Sequence, residues 1–243
     1  MSFFDGLYQY EAVMLVAGAF MFLVSVVLLI IFAVTGKSMG GLLPFFGVAI
    51  VMIGFPAYKK IEITKDGVTL DKDIHELLKN PTDPVLREKI SNEVAQLSQR
   101  PIQNPTVVTT VARAEVVLGD NVAAENNVNK ALSNAPHFPA AVELKKRIEL
   151  DKNLARLATQ VEKDPNDQTS RAQLASLVRE TSTMQIASPV TISNLARAHA
   201  VLGNEAQARE NIDKVLKINP SFEPATELKQ RMLMTVKPSA VMH

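Results

Sequence analysis

An internal duplication is the feature that most limits how this chain can fold. Residues 104–147 overlay residues 188–231 at a shift of 84 without a gap, and 18 of the 44 positions are identical. The identities cluster: Ala112-Arg113-Ala114 falls on Ala196-Arg197-Ala198, Val117-Leu118-Gly119 on Val201-Leu202-Gly203, and Glu143-Leu144-Lys145 on Glu227-Leu228-Lys229. Pro105, Ala124, Pro136 and Arg147 likewise meet Pro189, Ala208, Pro220 and Arg231. The same shift lays Pro81, Asp83, Arg87, Val94, Ser98 and Ile102 on Pro165, Asp167, Arg171, Val178, Ser182 and Ile186, so the register begins near residue 80. A fixed period signals stacked supersecondary units whose apolar faces need neighbours, and such arrays usually bind other proteins.

The chain opens with a different kind of segment. From Ala12 to Gly36 no residue is charged, and about 20 apolar residues cross a bilayer as a helix. A signal peptide would want basic residues in front of the run and small residues behind it, whereas Asp5 and Glu11 precede this one. A second uncharged stretch, Gly40 to Tyr58, comes after Lys37 and a Gly-rich turn. Pro44 and Pro56 near its two ends imply a short, tilted or bent second helix. Residues 1–58 therefore read as a two-span hairpin in an inner (plasma) membrane. Lys59, Lys60 and Lys65 flank its exit against Lys37 alone in the turn, which favours a cytoplasmic location for the residues beyond the second span. Tyr8, Tyr10 and Tyr58 stand where interfacial aromatics belong.

Residues 59–71 alternate apolar and polar in Lys60-Ile61-Glu62-Ile63-Thr64 and in Val68-Thr69-Leu70-Asp71, with Lys65-Asp66-Gly67 between. Period-two alternation around Asp-Gly predicts a short β-hairpin linker, which would need packing against the rest of the protein or a second copy. Residues 72–236 read as helix throughout, with breaks at Pro81, Pro101, Pro105, Pro136, Pro165, Pro189 and Pro220, and 237–243 as a tail. Val108, Val111, Ala112, Ala114, Val117 and Leu118 mark one face of a helix over 105–118; Val122, Ala124, Val128, Ala131 and Leu132 mark its antiparallel partner over 121–134. Gly119 and Gly203 fit left-handed helix caps. Residues 140–163 hold neither Gly nor Pro, which permits one long helix or two short ones bent near Asp151. Leu174, Leu177 and Val178 are the expected buried face of a later helix.

Chemistry finds little to rest on. Of 26 basic and 25 acidic side chains, removing Lys37, Asp5 and Glu11 leaves 25 and 23 beyond residue 58, which is no footprint for nucleic acid. Without cysteine, disulfides, thiolate zinc sites and cysteine nucleophiles are excluded. His75, His137, His199 and His243 have no companions at metal-ligand spacing, and no phosphate loop, nucleophile elbow or carboxylate pair stands out. The expectation is no enzyme, no metal and no cofactor.

Ala112, Gly119, Ala124, Ala131 and Pro136, with Ala196, Gly203, Ala208 and Pro220 in the second copy, fall at the small, turn and terminal-proline positions of the tetratricopeptide repeat. The chain thus resembles a membrane-anchored bacterial tetratricopeptide array. It departs from that pattern in Val108 and Ile192 at the early aromatic site, in Glu115 and His199 at the tyrosine site, and in Val215 near the end of the second copy. The shift of 84 is also no multiple of the family's repeat, so each period holds a recognisable pair plus less typical helices. The predicted fold is all-α apart from the ribbon: a transmembrane hairpin, a β-hairpin linker and a tetratricopeptide-like solenoid.

In such arrays the first helices line the binding groove, so the resemblance implies partner contacts where the two copies differ there. These are Thr106, Thr109, Thr110 and Glu115 in one copy and Val190, Ser193, Asn194 and His199 in the other. Shared positions carry structure instead, and Arg113 with Glu143, and Arg197 with Glu227, are the expected ion pairs between adjacent helices. The resulting reading is a membrane-tethered scaffold or adaptor for protein partners. One alternative is a structural subunit of a homo-oligomeric membrane complex. Another is a periplasmic assembly factor resembling those of cytochrome c maturation, although that family often separates its spans by a long cytoplasmic loop.

Overall fold

The computed structural model describes residues 7–36 and 40–235. Asp5, Lys37, Val236 and the 237–243 tail with His243 lie outside them. All regular structure among the described residues is helical. Helix α1 (Gln9–Thr35) runs to Gly36, whose φ of 66° closes its end, and packs along the first half of α2 (Leu43–Lys79). The two approach so closely that a Cβ on Gly18 would lie 2.8 Å from the Cβ of Met52. Phe22 and Phe46 meet edge to face at 5.7 Å. Elsewhere this pair exposes Phe20, Leu23, Val27, Val34, Ile50 and Val51. Both helices are long and apolar enough to cross a membrane.

The predicted β-hairpin linker is wrong. Residues 59–71 lie inside α2, which runs 37 residues without a break past Pro56, Asp66 and Gly67. Period two puts Ile61 with Ile63, and Val68 with Leu70, on common faces. Instead Ile63 and Leu70 are 7% and 0% exposed while Ile61 and Val68 are 69% and 67% exposed. The buried set Ile63, Gly67, Leu70, Ile74 and Leu77 is spaced by four, three, four and three, which is one face of a helix. Lone ribbons are marginal, and this stretch had a better partner in the helical core. Pro56 does not end the apolar helix either, since a proline removes one backbone bond and α1 packs alongside.

The remaining helices are α3 (Pro84–Ser98), α4 (Pro105–Leu118), α5 (Asn121–Asn134), α6 (Pro139–Lys163), α7 (Gln168–Ser182), α8 (Pro189–Val201), α9 (Glu205–Ile218) and α10 (Glu223–Thr235). Starts are set by side-chain caps: Asp83, Asn104, Asp120, Asp167 and Ser188 each accept a backbone N–H of the first turn. Gly119 and Gly203 adopt φ of 98° and 86° and reverse the chain after α4 and α8. Within α5 the expected face holds except at Val122, which is 73% exposed because it lies opposite Ala124 on the helix.

One period is four helices, α3 to α6 and then α7 to α10. Residues 139–163 form a single helix because α6 serves both units. Its first half is the counterpart of α10, and its second half is the counterpart of the end of α2, with Leu70, Ile74 and Leu77 matched by Leu154, Ala158 and Val161, all buried. Accordingly α2 packs on α3 and α4 as α6 packs on α7 and α8, and α4 pairs with α5 as α8 pairs with α9. Leu174 and Val178 are buried and Leu177 is partly buried, as expected.

A second joint ties the apolar hairpin to the repeats. Glu11, 1% exposed, accepts the Tyr8 backbone N–H at 2.9 Å and pairs with Arg100 at 3.2 Å. The Arg100 guanidinium lies 4.7 Å from the Tyr8 ring centroid, and the Tyr8 hydroxyl donates to the Gln99 carbonyl at 3.2 Å.

If α2 is one helix through residue 71, Leu70→Ala destabilises the protein by about 2–5 kcal/mol while Val68→Ala changes stability by no more than about 0.5 kcal/mol. Urea unfolding in detergent micelles measures both, and equal losses would restore the ribbon.

Candidate functional site on the repeat domain

Helix α4 presents Thr106, Thr109, Thr110 and Arg113 at spacings of three, one and three, hence on one face. That face, with Thr64, Gly67, Val68 and Asp71 of α2 and Phe138 and Ala140 at the start of α6, encloses a groove of about 350 Å³. Three of the eight predicted partner residues therefore share a concave site. Thr106 is exposed, Thr110 bonds the Thr106 carbonyl at 3.1 Å, and the Thr109 hydroxyl is buried without a hydrogen-bond partner among the described residues. Gly67 is fixed by closeness: a Cβ there would lie 3.2 Å from the Val107 side chain.

The other five predicted residues are placed differently. Val190, Ser193 and Asn194 occupy equivalent positions on α8, Ser193 being buried and the other two half-buried. Asn194 donates to Asp151 at 3.1 Å. Glu115 and His199 face the opposite way, against α5 and α9, and are buried. Asn127 donates to both Glu115 carboxylate oxygens at 2.8 and 2.9 Å. Burial pushes the Glu115 carboxyl up from its ordinary range, against the Asn127 hydrogen bond that lowers it. Burial likewise pushes the His199 imidazole down, which favours the neutral ring.

The charges shared by the two copies also pair differently than expected. Arg113 binds Asp71 of α2, and Arg197 binds Glu162 of α6. Glu143 pairs at 2.9 Å with Arg147 of its own helix, and Glu227 is exposed. Both arginines thus bond the long helix two before their own, α2 or α6, and not the one that follows their pair. Ala112, Ala124, Ala196 and Ala208 are fully buried where helices of a pair touch, while Pro136 and Pro220 sit exposed in the turns after α5 and α9.

A second cleft, of about 100 Å³, lies at the seam between the units, under the segment 181–191. Its floor is Asp151, 5% exposed, which accepts from Asn121 at 2.7 Å and from Asn194 at 3.1 Å. Burial raises the Asp151 pKa above 3.8, with the hydrogen bonds from Asn194, Asn121 and Thr191 acting the other way. Arg113 and Arg147 line the same cleft from α4 and α6. Asp151 and Asn121 were not among the predicted site residues. The signal for Asp151 was present, since its counterpart in the first copy is Gly67.

Comparison with protein-family models, with curated proteins and with solved structures finds no match to this chain.

Two measurements check this geometry. A double-mutant cycle on Arg113 and Asp71 gives a coupling of about 0.2–1 kcal/mol, the range for partly exposed pairs, while Arg113 and Glu143 give none. For Asp151 the folded-state pKa lies above the unfolded one, so the group contributes most below pH 3.8 and stability is lost as pH rises through its folded pKa. Asp151→Asn therefore flattens that decline. Unfolding midpoints at stepped pH, wild type against variant, test this, and parallel curves would contradict it.

Proposed function

We propose that this chain is a membrane-anchored helical-repeat scaffold of tetratricopeptide type that gathers protein partners at the membrane surface and performs no chemistry of its own. The observation that carries the reading is the continuity of α2, whose first half exposes apolar side chains beside α1 and whose second half is core of the first repeat unit. A tether of that kind has no loop between the apolar hairpin and the repeats, and the Glu11 to Arg100 contact adds a second attachment. Holding a bound partner at a membrane raises its effective concentration there.

In this reading α1 and the first half of α2 are two spans of a bacterial-type inner membrane, and Lys59, Lys60 and Lys65 keep the repeats in the cytoplasm. The groove formed by Thr106, Thr109, Thr110 and Arg113 is a site for an extended segment of a partner. Internal pairing of small residues along α4 and α5, and again along α8 and α9, supports the tetratricopeptide assignment.

A reporter active only in the periplasm, fused after His243, is expected to be silent, and a cytoplasmic reporter to be active. The tagged protein drawn from native membranes is expected to bring discrete partners that Thr106→Arg and Thr110→Arg release. Periplasmic activity would overturn the orientation, and a protein that co-purifies with nothing would overturn the scaffold.

A further inference from the structure

The duplication supplies an internal control for one surface. In the first unit the end of α4 is covered by the segment that leads into α8: Pro189 comes within 3.1 Å of where a Gly119 Cβ would sit. Arg87 staples the junction, donating to Val117 O at 3.0 Å and to Ala187 O at 2.6 Å. Val117 is consequently buried, and Leu150 lines the covered cleft. At the shift of 84 the counterparts are Gly203, Arg171, Val201 and Met234. There the cover is missing among the described residues. Nothing lies within 4 Å of a Gly203 Cβ, Arg171 reaches only the Val201 carbonyl at 3.4 Å, Val201 is partly exposed and Met234 is 73% exposed.

We infer that this distal face of the second unit docks an extended segment leading into a helix of a partner protein, seated as residues 184–190 are seated on the first unit. The fit is chemical as well as geometric. Arg171 offers guanidinium N–H groups to a backbone carbonyl, as Arg87 does to Ala187, and Val201 with Met234 offers an apolar floor for a small residue and a proline. A second copy of this chain is a poor occupant. Its own 184–190 segment is engaged internally, and the start of its counterpart segment 100–106 is held by the contact of Arg100 with Tyr8 and Glu11. The inference rests on the scaffold reading and adds a second docking surface to the groove beside Thr106.

The probe is a fluorescent peptide copying residues 182–201 of this chain, added to the full-length protein in detergent micelles. Saturable binding is expected. Arg171→Ala weakens it about tenfold, the loss of one charge-assisted hydrogen bond. Met234→Asp, at an exposed position that folding does not need, weakens it as well, while Val122→Asp on the first unit leaves it unchanged. Absence of saturable binding, or equal binding by Met234→Asp, overturns the proposal. Binding that appears only in a variant ending at Thr235 assigns the face to the chain's own last residues and overturns it too. Should membrane partners co-purify undiminished with Met234→Asp, the scaffold stands and the dock lies elsewhere, which separates the two failures.

Discussion

Burial of one face of α2 against α3 and α4 is the interaction on which the rest of this architecture depends. Leu70, Ile74 and Leu77, each at most 1% exposed, make the carboxyl half of that helix part of a core that also holds Ile90, Leu97, Val108 and Val111. The same rod is apolar on its outside from Leu43 to Tyr58. No loop separates the two halves of this helix, and α1 packs beside the turn where Pro56 removes one backbone bond, so hairpin and repeats are carried on one rod. The contact of Arg100 with Glu11 then resists rotation about the rod, because separating a buried carboxylate from its cation leaves the charge uncompensated.

Sharing helices is also what sets the period. If each unit ended with its own terminal helix and began with another, the pair would need a turn between them. Here α6 performs both roles in 25 residues, its Ala141 and Leu144 closing the first unit and its Leu154 and Ala158 opening the second. A unit of this kind cannot be excised at a loop, and the two cores meet through one continuous helix. Such an arrangement couples neighbouring units more tightly than a string of helix pairs does.

How much of this was legible in the sequence depended on whether the signal was local. The helix pair 105–134 and its copy were readable because small residues, glycine caps and prolines act within a few positions. The stretch 59–71 was not, because its apolar residues satisfy periods of two and of three-and-four alike over so short a window, and only the burial of Leu70, Ile74 and Leu77 further on separates them. Gly67 misled for the same reason: its purpose is the close approach of Val107 from α4, a contact distant in sequence, and not a turn. In the site, Thr106, Thr109 and Thr110, named from the resemblance and from where the copies differ, line one groove, whereas Glu115 and His199 belong to the buried side of their helices. Asp71 and Glu162 escaped because the ion pairs of Arg113 and Arg197 are set by helix order in space and not by which charges the two copies share.

The most informative divergence between the copies is the exchange of Gly67 for Asp151. At both positions a helix shared with the preceding segment crosses the first helix of the pair. With glycine, α2 closes on Val107 and leaves the groove beside Thr106 and Thr109 open. With aspartate, the crossing is filled by a carboxylate held between Asn121 and Asn194. A buried carboxylate bonded only to neutral amide and hydroxyl groups costs stability that a small apolar residue would not, and burial accordingly raises its pKa. Retaining it at the seam gives a defined angle between the units, since both amides must be in register to satisfy it. The two copies have thus parted in role: the crossing in the first unit keeps space, and the one in the second uses the same position to lock the array.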